Sequence, residues 1–319
     1  MTTDVARQFE DREELPDNCA FLMNVRNFVD FERIEIAPGH LLRRASDTES
    51  HEIRGTIQDL CGLAQRHAIS AWEQQWSDDG THREALPRAS WRYFVIAFHG
   101  NNEVVNQLNE AFCLSALEIE TGPIIMRGQW GGIIHNAGKL FQLIDEASHQ
   151  REFFVDVSQS AVEEISELRE LVSRHDNALI DIRSVVRQLN QLKSLPVGSP
   201  LRFLGYFAIL ESLLTHQPNL TDPYDSITRQ VRKKLALVNH RLKAPLDYAP
   251  FGEISPQTVW KKLYKYRSLI AHGADAKIEG ELAILRSPRA ALNIVRQATK
   301  AVARQSLYEP QLIVDLRDC

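Results

Sequence analysis

The chain is predicted to fold as a mixed α+β N-terminal domain, residues 1–158, followed by an all-α helical bundle, residues 159–319. Three observations carry that expectation. Short runs of branched and aromatic residues ending at Pro or Gly recur before Ser158. After it, apolar residues fall at helical spacing. Three Asp-Pro or Ser-Pro junctions in the second half read as helix starts, since the polar side chain caps free amides and Pro at the first helical position loses no hydrogen bond. A length of 319 residues suits two domains of ordinary size.

In the first half, Val29–Pro38 (VDFERIEIAP) and Arg92–Gly100 (RYFVIAFHG) have strand composition, as do Ala116–Met126 and Glu152–Ser158. His51–Trp76 carries Ile53, Ile57, Leu60 and Ala64 at helical spacing and is expected to be a helix. Gly131–His135 (GGIIH) is expected to open another, running to Ala147. Gly128, Gly131 and Gly132 gather around Trp130 without the spacing or the lysine of a phosphate loop, and read as a tight turn.

The second half is helical almost throughout. Ser160 precedes the stripe Val162, Ile165, Leu168 and Val172. Pro196, Gly198 and Pro200 interrupt before Leu201–Thr215. Asp222-Pro223 then opens Tyr224–Leu242, Ser255-Pro256 opens the next helix, and Ser287-Pro288 opens the last. A helical bundle follows.

Composition narrows the function classes. Hydrophobic residues make up 44% and charged residues 25%, which describes a soluble globular chain and excludes intrinsic disorder. No run approaches the roughly 18 apolar residues of a membrane span. The start, MTTDVARQFEDREELPD, is acidic without an apolar stretch, so no secretory signal is expected. Cys19, Cys61, Cys113 and Cys319 lie far apart with no CxxC pair, which argues against a zinc ribbon or disulfide scaffold and fits a reducing cytoplasm. The net charge of −5 conceals an asymmetry: residues 1–158 hold 14 Lys+Arg against 25 Asp+Glu (−11), and residues 159–319 hold 23 against 17 (+6). Opposite-signed halves hint at a polyanionic partner for the basic one.

The segment Ser255–Gly273 (SPQTVWKKLYKYRSLIAHG) concentrates the chemistry. At about 100° per residue, Trp260, Leu263, Tyr264, Ile270 and Ala271 share one face, with Arg267 amid that apolar stripe and Lys261, Lys265 and Ser268 opposite. An unpaired guanidinium there would be costly, so Arg267 must have a partner or face a cleft. Leu201–Thr215 is apolar nearly all round, as a central buried helix is, and Glu211 is its only acid. The two are expected to meet, either as a structural ion pair that fixes helix register or as part of a functional site. Gly273 is the usual left-handed terminator, which places His272 beside the last carbonyls.

Leu263–Gly273 (LYKYRSLIAHG) resembles the RSxxxHG signature of the HEPN superfamily in its Apea-like branch: an Arg and a His separated by four residues near the end of a bundle helix. Ala208–Thr215 (AILESLLT) is similar to that branch's glutamate-bearing helix, and Ser226–Val238 (SITRQVRKKLALV) resembles the basic helix that follows it. The resemblance covers about residues 199–300 and does not extend to the first half. It implies a HEPN-type bundle and a metal-independent endoribonuclease of the kind found in bacterial antiphage defence, abortive infection or toxin systems, acting on RNA (tRNA among the candidates) as a homodimer. Carried over by position, Arg267 and His272 would be the catalytic pair, with Ser268 after the arginine and Glu211 supporting it. The residue types suit RNA cleavage through the 2′-hydroxyl: histidine titrates near neutral pH, and an arginine fork matches phosphate oxygens. Five residues along a helix set Arg267 and His272 about 140° apart, so either the last turn unwinds or two chains share the cleft.

Arg229, Arg232, Lys233 and Lys234 on one helix, and Lys261, Lys262 and Lys265 on the other, form a candidate RNA track, with Tyr266 available to stack on a base. Tyr264 reads as core. His99, His135 and His216 read as core or surface histidines, and Trp72 and Trp76, at i, i+4 spacing, as packing. No metal or cofactor site is assigned. The acidic half is expected to sense a phage or cellular trigger, confer specificity or restrain the basic half. The alternative is an inactive HEPN module that binds RNA or a protein partner and dimerises.

Overall fold

The computed structural model describes residues 16–61, 69–77, 79–127, 131–149, 151–175, 179–196, 198–218, 226–273 and 276–319. Two compact units divide the chain: Met1–Phe112 with Ile119–Ser166, and Cys113–Glu118 with Glu167–Cys319. The sequence reading put one boundary after Ser158. The continuous helix Gln159–Arg174 starts just past that point and the two units divide within it, between Ser166 and Glu167, because a change in composition marks where helix begins and not where a compact unit ends.

The first unit holds a six-stranded antiparallel sheet. Its strands are β1 (Asn18–Leu22), β3 (Arg33–Ala37), β4 (His40–Arg44), β7 (Phe94–Phe98), β8 (Thr121–Met126) and β9 (Gly132–Ile134), in the order β3-β4-β7-β1-β8-β9. Every residue of β1 and of β7 is buried, so apart from Asn18, whose amide donates to the Gly100 carbonyl, these central strands read as apolar runs instead of alternating ones. On one face, Cys19, Phe21, Met23, Tyr93, Val95 and Ala97 pack against helices α1 (Asp47–Cys61), α2 (Ser70–Glu73) and α4 (Ala137–His149) through Ile53, Ile57, Trp72, Leu140, Leu143 and Ile144. Helix α3 (Glu103–Leu114) follows β7. Two small ribbons complete the unit: β2 (Val25–Phe28) parallel to β10 (Val155–Val157), and β5 (Gln74–Trp76) antiparallel to β6 (Arg83–Ala85).

Several expectations are corrected here. The helix expected over His51–Trp76 starts earlier, at Asp47. A reciprocal capping box, Glu49 N–H donating to Ser46 Oγ (3.2 Å) and Ser46 N–H to Glu49 Oε2 (2.8 Å), fixes that start. Gln74–Trp76 is a strand, since the backbone turns extended at Gln74 and pairs with β6. Gly131–His135 does not open a helix. Its Ile133 and Ile134 pair with β8 as an edge strand, and α4 starts only after Asn136, whose side chain accepts from Lys139 N–H at 3.1 Å. The turn at Gly128–Trp130 and the Asp222-Pro223 junction lie outside the described residues, but the helix expected to open at Tyr224 starts instead at Ile227, because the extended Ser226 caps it by accepting from Arg229 N–H.

The helical unit contains the end of α5 (Gln159–Arg174), then α6 (Ile182–Lys193), α7 (Pro200–Leu214), α8 (Ile227–Asn239), α9 (Pro256–Ala271), α10 (Pro288–Tyr308) and α11 (Pro310–Asp318). Val162, Ile165, Leu168 and Val172 are all buried along α5. Ser226, Ser255 and Ser287 cap α8, α9 and α10 by accepting the N–H three residues on. α10 is not the last helix: Pro310 opens α11 directly after it. α7 packs against α6, α8, α9, α10 and α11, which makes it the centre of the unit. At Gly205 a Cβ would stand only 2.2 Å from Leu192 Cδ2, so α6 and α7 pack closely because that position lacks a side chain.

A buried charge network sits beside α7. Glu118 accepts from Lys300 Nζ (2.9 Å) and Arg296 Nη1 (3.0 Å), both on α10. Burial alone would raise the Glu118 carboxyl, but Lys300, Arg296 and Lys193 outweigh it and hold the group well below the usual carboxylate range. The same burial lowers Lys300. Because the folded-state value of Glu118 lies below the unfolded one, its stabilisation is complete above about pH 5 and is lost progressively as pH falls toward and through the folded value. Replacing Glu118 by Gln takes the carboxylate from the buried Lys300 ammonium and is expected to lower unfolding free energy by about 3–5 kcal/mol in urea titrations at pH 7. Wild type and variant should converge as the pH is taken below 4, a convergence that apolar packing alone at this position would not produce.

Candidate functional site

Helix α9 starts at a capped serine with Pro256 behind it and buries Val259, Trp260, Leu263, Tyr264 and Tyr266. Those aromatic residues meet α7 in an edge-to-face seam. Phe207 faces Trp260 (6.0 Å between centroids) and Tyr264 (5.0 Å), and Phe203 faces Tyr266 (5.1 Å). Phe203, Phe207 and Glu211 recur every four residues and so share one stripe of α7.

At the end of that stripe, Arg267 Nη2 donates to Glu211 Oε2 at 3.1 Å. The Arg267 side chain is 35% exposed and that of Glu211 14%. The guanidinium is thus anchored at one corner, while its buried Nε has no hydrogen-bond partner. The Tyr264 phenol is pushed above its ordinary value, first by burial and then by the Glu211 carboxylate beside it. A carboxylate that faces both an arginine and a phenol fixes the guanidinium without covering it, and leaves a positive group at the surface that a phosphate oxygen could reach.

The other expected residues fall into separate groups. Ser268 and His272 are exposed. His272 N–H still donates to Ser268 O at 3.1 Å, so His272 keeps its place in the helical spiral; the chain leaves it only at Gly273, whose φ of +70° ends α9. Among the described residues, no hydrogen bond or ion pair joins the His272 side chain to Arg267. Unwinding of the last turn therefore does not carry the histidine onto the arginine's face.

Arg229, Arg232 and Lys233 line an open groove of about 840 Å3 along α8, together with Thr228, Leu237 and, from α9, Gln257. Lys261 is exposed. Lys262 pairs with Glu281 at 2.7 Å, and Lys265 pairs with the same carboxylate, which offsets much of their charge. Two expectations fail. Lys234 is buried and donates to the Arg317 carbonyl in the last turn of α11 at 3.1 Å, capping that helix instead of facing solvent. Tyr266 is buried against Phe203 and has no free face for a base.

Two groups escaped the sequence reading. One is the Glu118 network, whose acid comes from a segment read as strand. The other is a set of arginines in the first unit. There Trp72 is core, as expected, with its indole N–H on the Met23 carbonyl at 2.8 Å, but Trp76 is 37% exposed and lines a pocket. The available signal was Arg83, an arginine close in sequence to that aromatic residue.

Because Arg267 is one-third exposed, its pair with Glu211 is screened. Glu211→Gln should lower unfolding free energy by about 1 kcal/mol, and in a double-mutant cycle Arg267→Gln should add less in the Glu211→Gln background than alone. Full additivity in urea unfolding would show that the pair contributes no coupling. Scans of the chain against family models, curated proteins and solved structures return no match.

Proposed function

We propose that the chain is a metal-independent endoribonuclease of the HEPN, Apea-like kind, serving antiphage defence, abortive infection or toxicity, with Arg267 and His272 as its reacting pair. The observation that carries this reading is the anchored yet partly exposed Arg267. Glu211 holds one corner of the fork at 3.1 Å, on the helix whose sequence resembles the RSxxxHG signature. In such a site the guanidinium stabilises charge on the phosphorane while His272 moves the proton between the 2′-hydroxyl and the leaving 5′-oxygen. Ser268, exposed one residue past the arginine, would take the polar place that follows the arginine in that signature.

Two chains would unite the pair. Arg267 and His272 project about 140° apart on a regular helix, and the hydrogen bond from His272 N–H to Ser268 O keeps that rotation. A homodimer that brings His272 of one protomer to Arg267 of its partner is therefore part of the proposal. RNA backbone would lie along Arg229, Arg232, Lys233 and Lys261, where contacts give affinity without sequence choice. The sheet-rich unit would supply the trigger or specificity.

The second reading is a HEPN module that binds RNA or a protein without cutting. The sharing of one carboxylate, Glu281, by Lys262 and Lys265 favours it, since it thins the positive charge on the helix that carries Arg267. Total cellular RNA incubated with purified protein separates the two. Wild type should cleave, and Arg267→Ala and His272→Ala should each lose activity by about 10²-fold or more. Equal cleavage by all three would mark a contaminant and end the nuclease assignment, as binding without cleavage would. A protein that cleaves while strictly monomeric in light scattering would remove the shared cleft.

A further inference from the structure

The first unit holds a concave site that the RNA chemistry does not use. A pocket of about 320 Å3 is lined by Arg26, Arg83 and Arg92, by Gln74, Gln75 and Ser77, and by the rings of Trp76 and Phe154. Three guanidinium groups around so small a space repel one another, so their compensation decides what the pocket is for. Arg26 is neutralised by a paired contact with Asp156 on the adjacent strand β10. Arg83 and Arg92 are not. Arg83 donates to Ser70 Oγ (2.8 Å) and to the Ser148 carbonyl, and Arg92 to the carbonyls of Ala71 (3.2 Å) and Gln74 (3.4 Å). Among the described residues, neither meets a carboxylate.

Those neutral acceptors hold the two groups in place without cancelling their charge. Arg92 is pushed below its ordinary value first by burial and then by the like charges of Arg26 and Arg83, and burial lowers Arg83 as well. Each guanidinium also lies over an aromatic ring, Arg83 over Trp76 at 5.0 Å and Arg92 over Phe154 at 4.6 Å. The site thus joins two fixed, uncompensated forks that match phosphate oxygens, a half-exposed indole, and side-chain amides able to read a hydrogen-bonding edge. Its volume lies at the small end of ligand pockets, which suits a single nucleotide.

We propose that this pocket binds a nucleoside monophosphate, with the phosphate between Arg83 and Arg92, the base against Trp76 and its edge toward Gln74 and Gln75. The inference does not rest on the nuclease assignment, since the pocket lies wholly within the sheet-rich unit. If both hold, the ligand is a signal received apart from the RNA site.

Isothermal titration of the full chain with AMP, GMP, CMP and UMP, with inorganic phosphate, and with the four free nucleosides tests this directly. At least one monophosphate should bind about tenfold or more tightly than phosphate or the matching nucleoside alone, because both halves of the pocket contribute. Arg92→Gln and Arg83→Gln should each weaken that binding by about tenfold or more, the loss of a charge-assisted contact. Trp76→Ala, at a half-exposed side chain, should weaken the nucleotide and leave phosphate binding unchanged; it keeps the test valid if either arginine variant proves misfolded by circular dichroism. Three results would overturn the proposal: no monophosphate bound at about 1 mM, phosphate bound as tightly as any nucleotide, or nucleotide binding untouched by the arginine and tryptophan variants.

Discussion

Helix α7 has to bury most of its circumference, and the helical unit is arranged around that need. Phe203, Tyr206, Phe207, Ile209, Leu210, Leu213 and Leu214 are all buried, on more than one face, so five other helices pack against it. Apolar burial of this kind is non-directional; it gathers the helices but leaves their rotation loose. Direction comes from shape and charge. Gly205 lets α6 approach closely, the edge-to-face contacts of Phe203 and Phe207 orient α9, and the single acid of the helix, Glu211, selects Arg267. The aromatic seam and the ion pair lie along one stripe of α7, so the packing that stabilises the unit also aims the arginine.

The unit treats its two charge clusters differently. Glu118 is enclosed by Lys300, Arg296 and Lys193, and its charge is held by attraction strong enough to overcome burial. Such a cluster adds register and offers little to a ligand. Glu211 and Arg267 stay partly in solvent, joined by one hydrogen bond, with Nε unsatisfied. An arginine fixed but not saturated can be used by a phosphate. The same distinction separates Arg26 from Arg83 and Arg92 in the sheet-rich unit, where one fork meets an aspartate and two meet only neutral acceptors.

The chemistry of the candidate sites was therefore legible in the sequence to different depths. The meeting of Arg267 and Glu211 was readable because each residue stands alone as a charge in an apolar stripe, and costs of burial leave few partners. Lys234 and Tyr266 were misread because periodicity alone does not say which side of α8 and α9 is covered: α11 takes the lysine as its C-terminal cap, and Phe203 takes the tyrosine. Nor does periodicity show that Glu281 reaches back to Lys262 and Lys265. The β9 strand was misread because a short branched run gains its state from a neighbour, here β8.

Local chemistry by itself determined where α9 and α10 begin and where α9 ends. Ser255-Pro256 and Ser287-Pro288 cap and start their helices, and Gly273 stops α9, since each device acts within four residues of chain. It also determined the division into a sheet-rich part and a helical part, through the period of the apolar residues. Only the tertiary structure decided which charges were compensated. Glu118 reaches Lys300 across 182 positions, and Arg26, Arg83 and Arg92 converge from β2, β6 and the approach to β7. A charge's partner depends on distance through space, and that distance exists only once the apolar surfaces have packed.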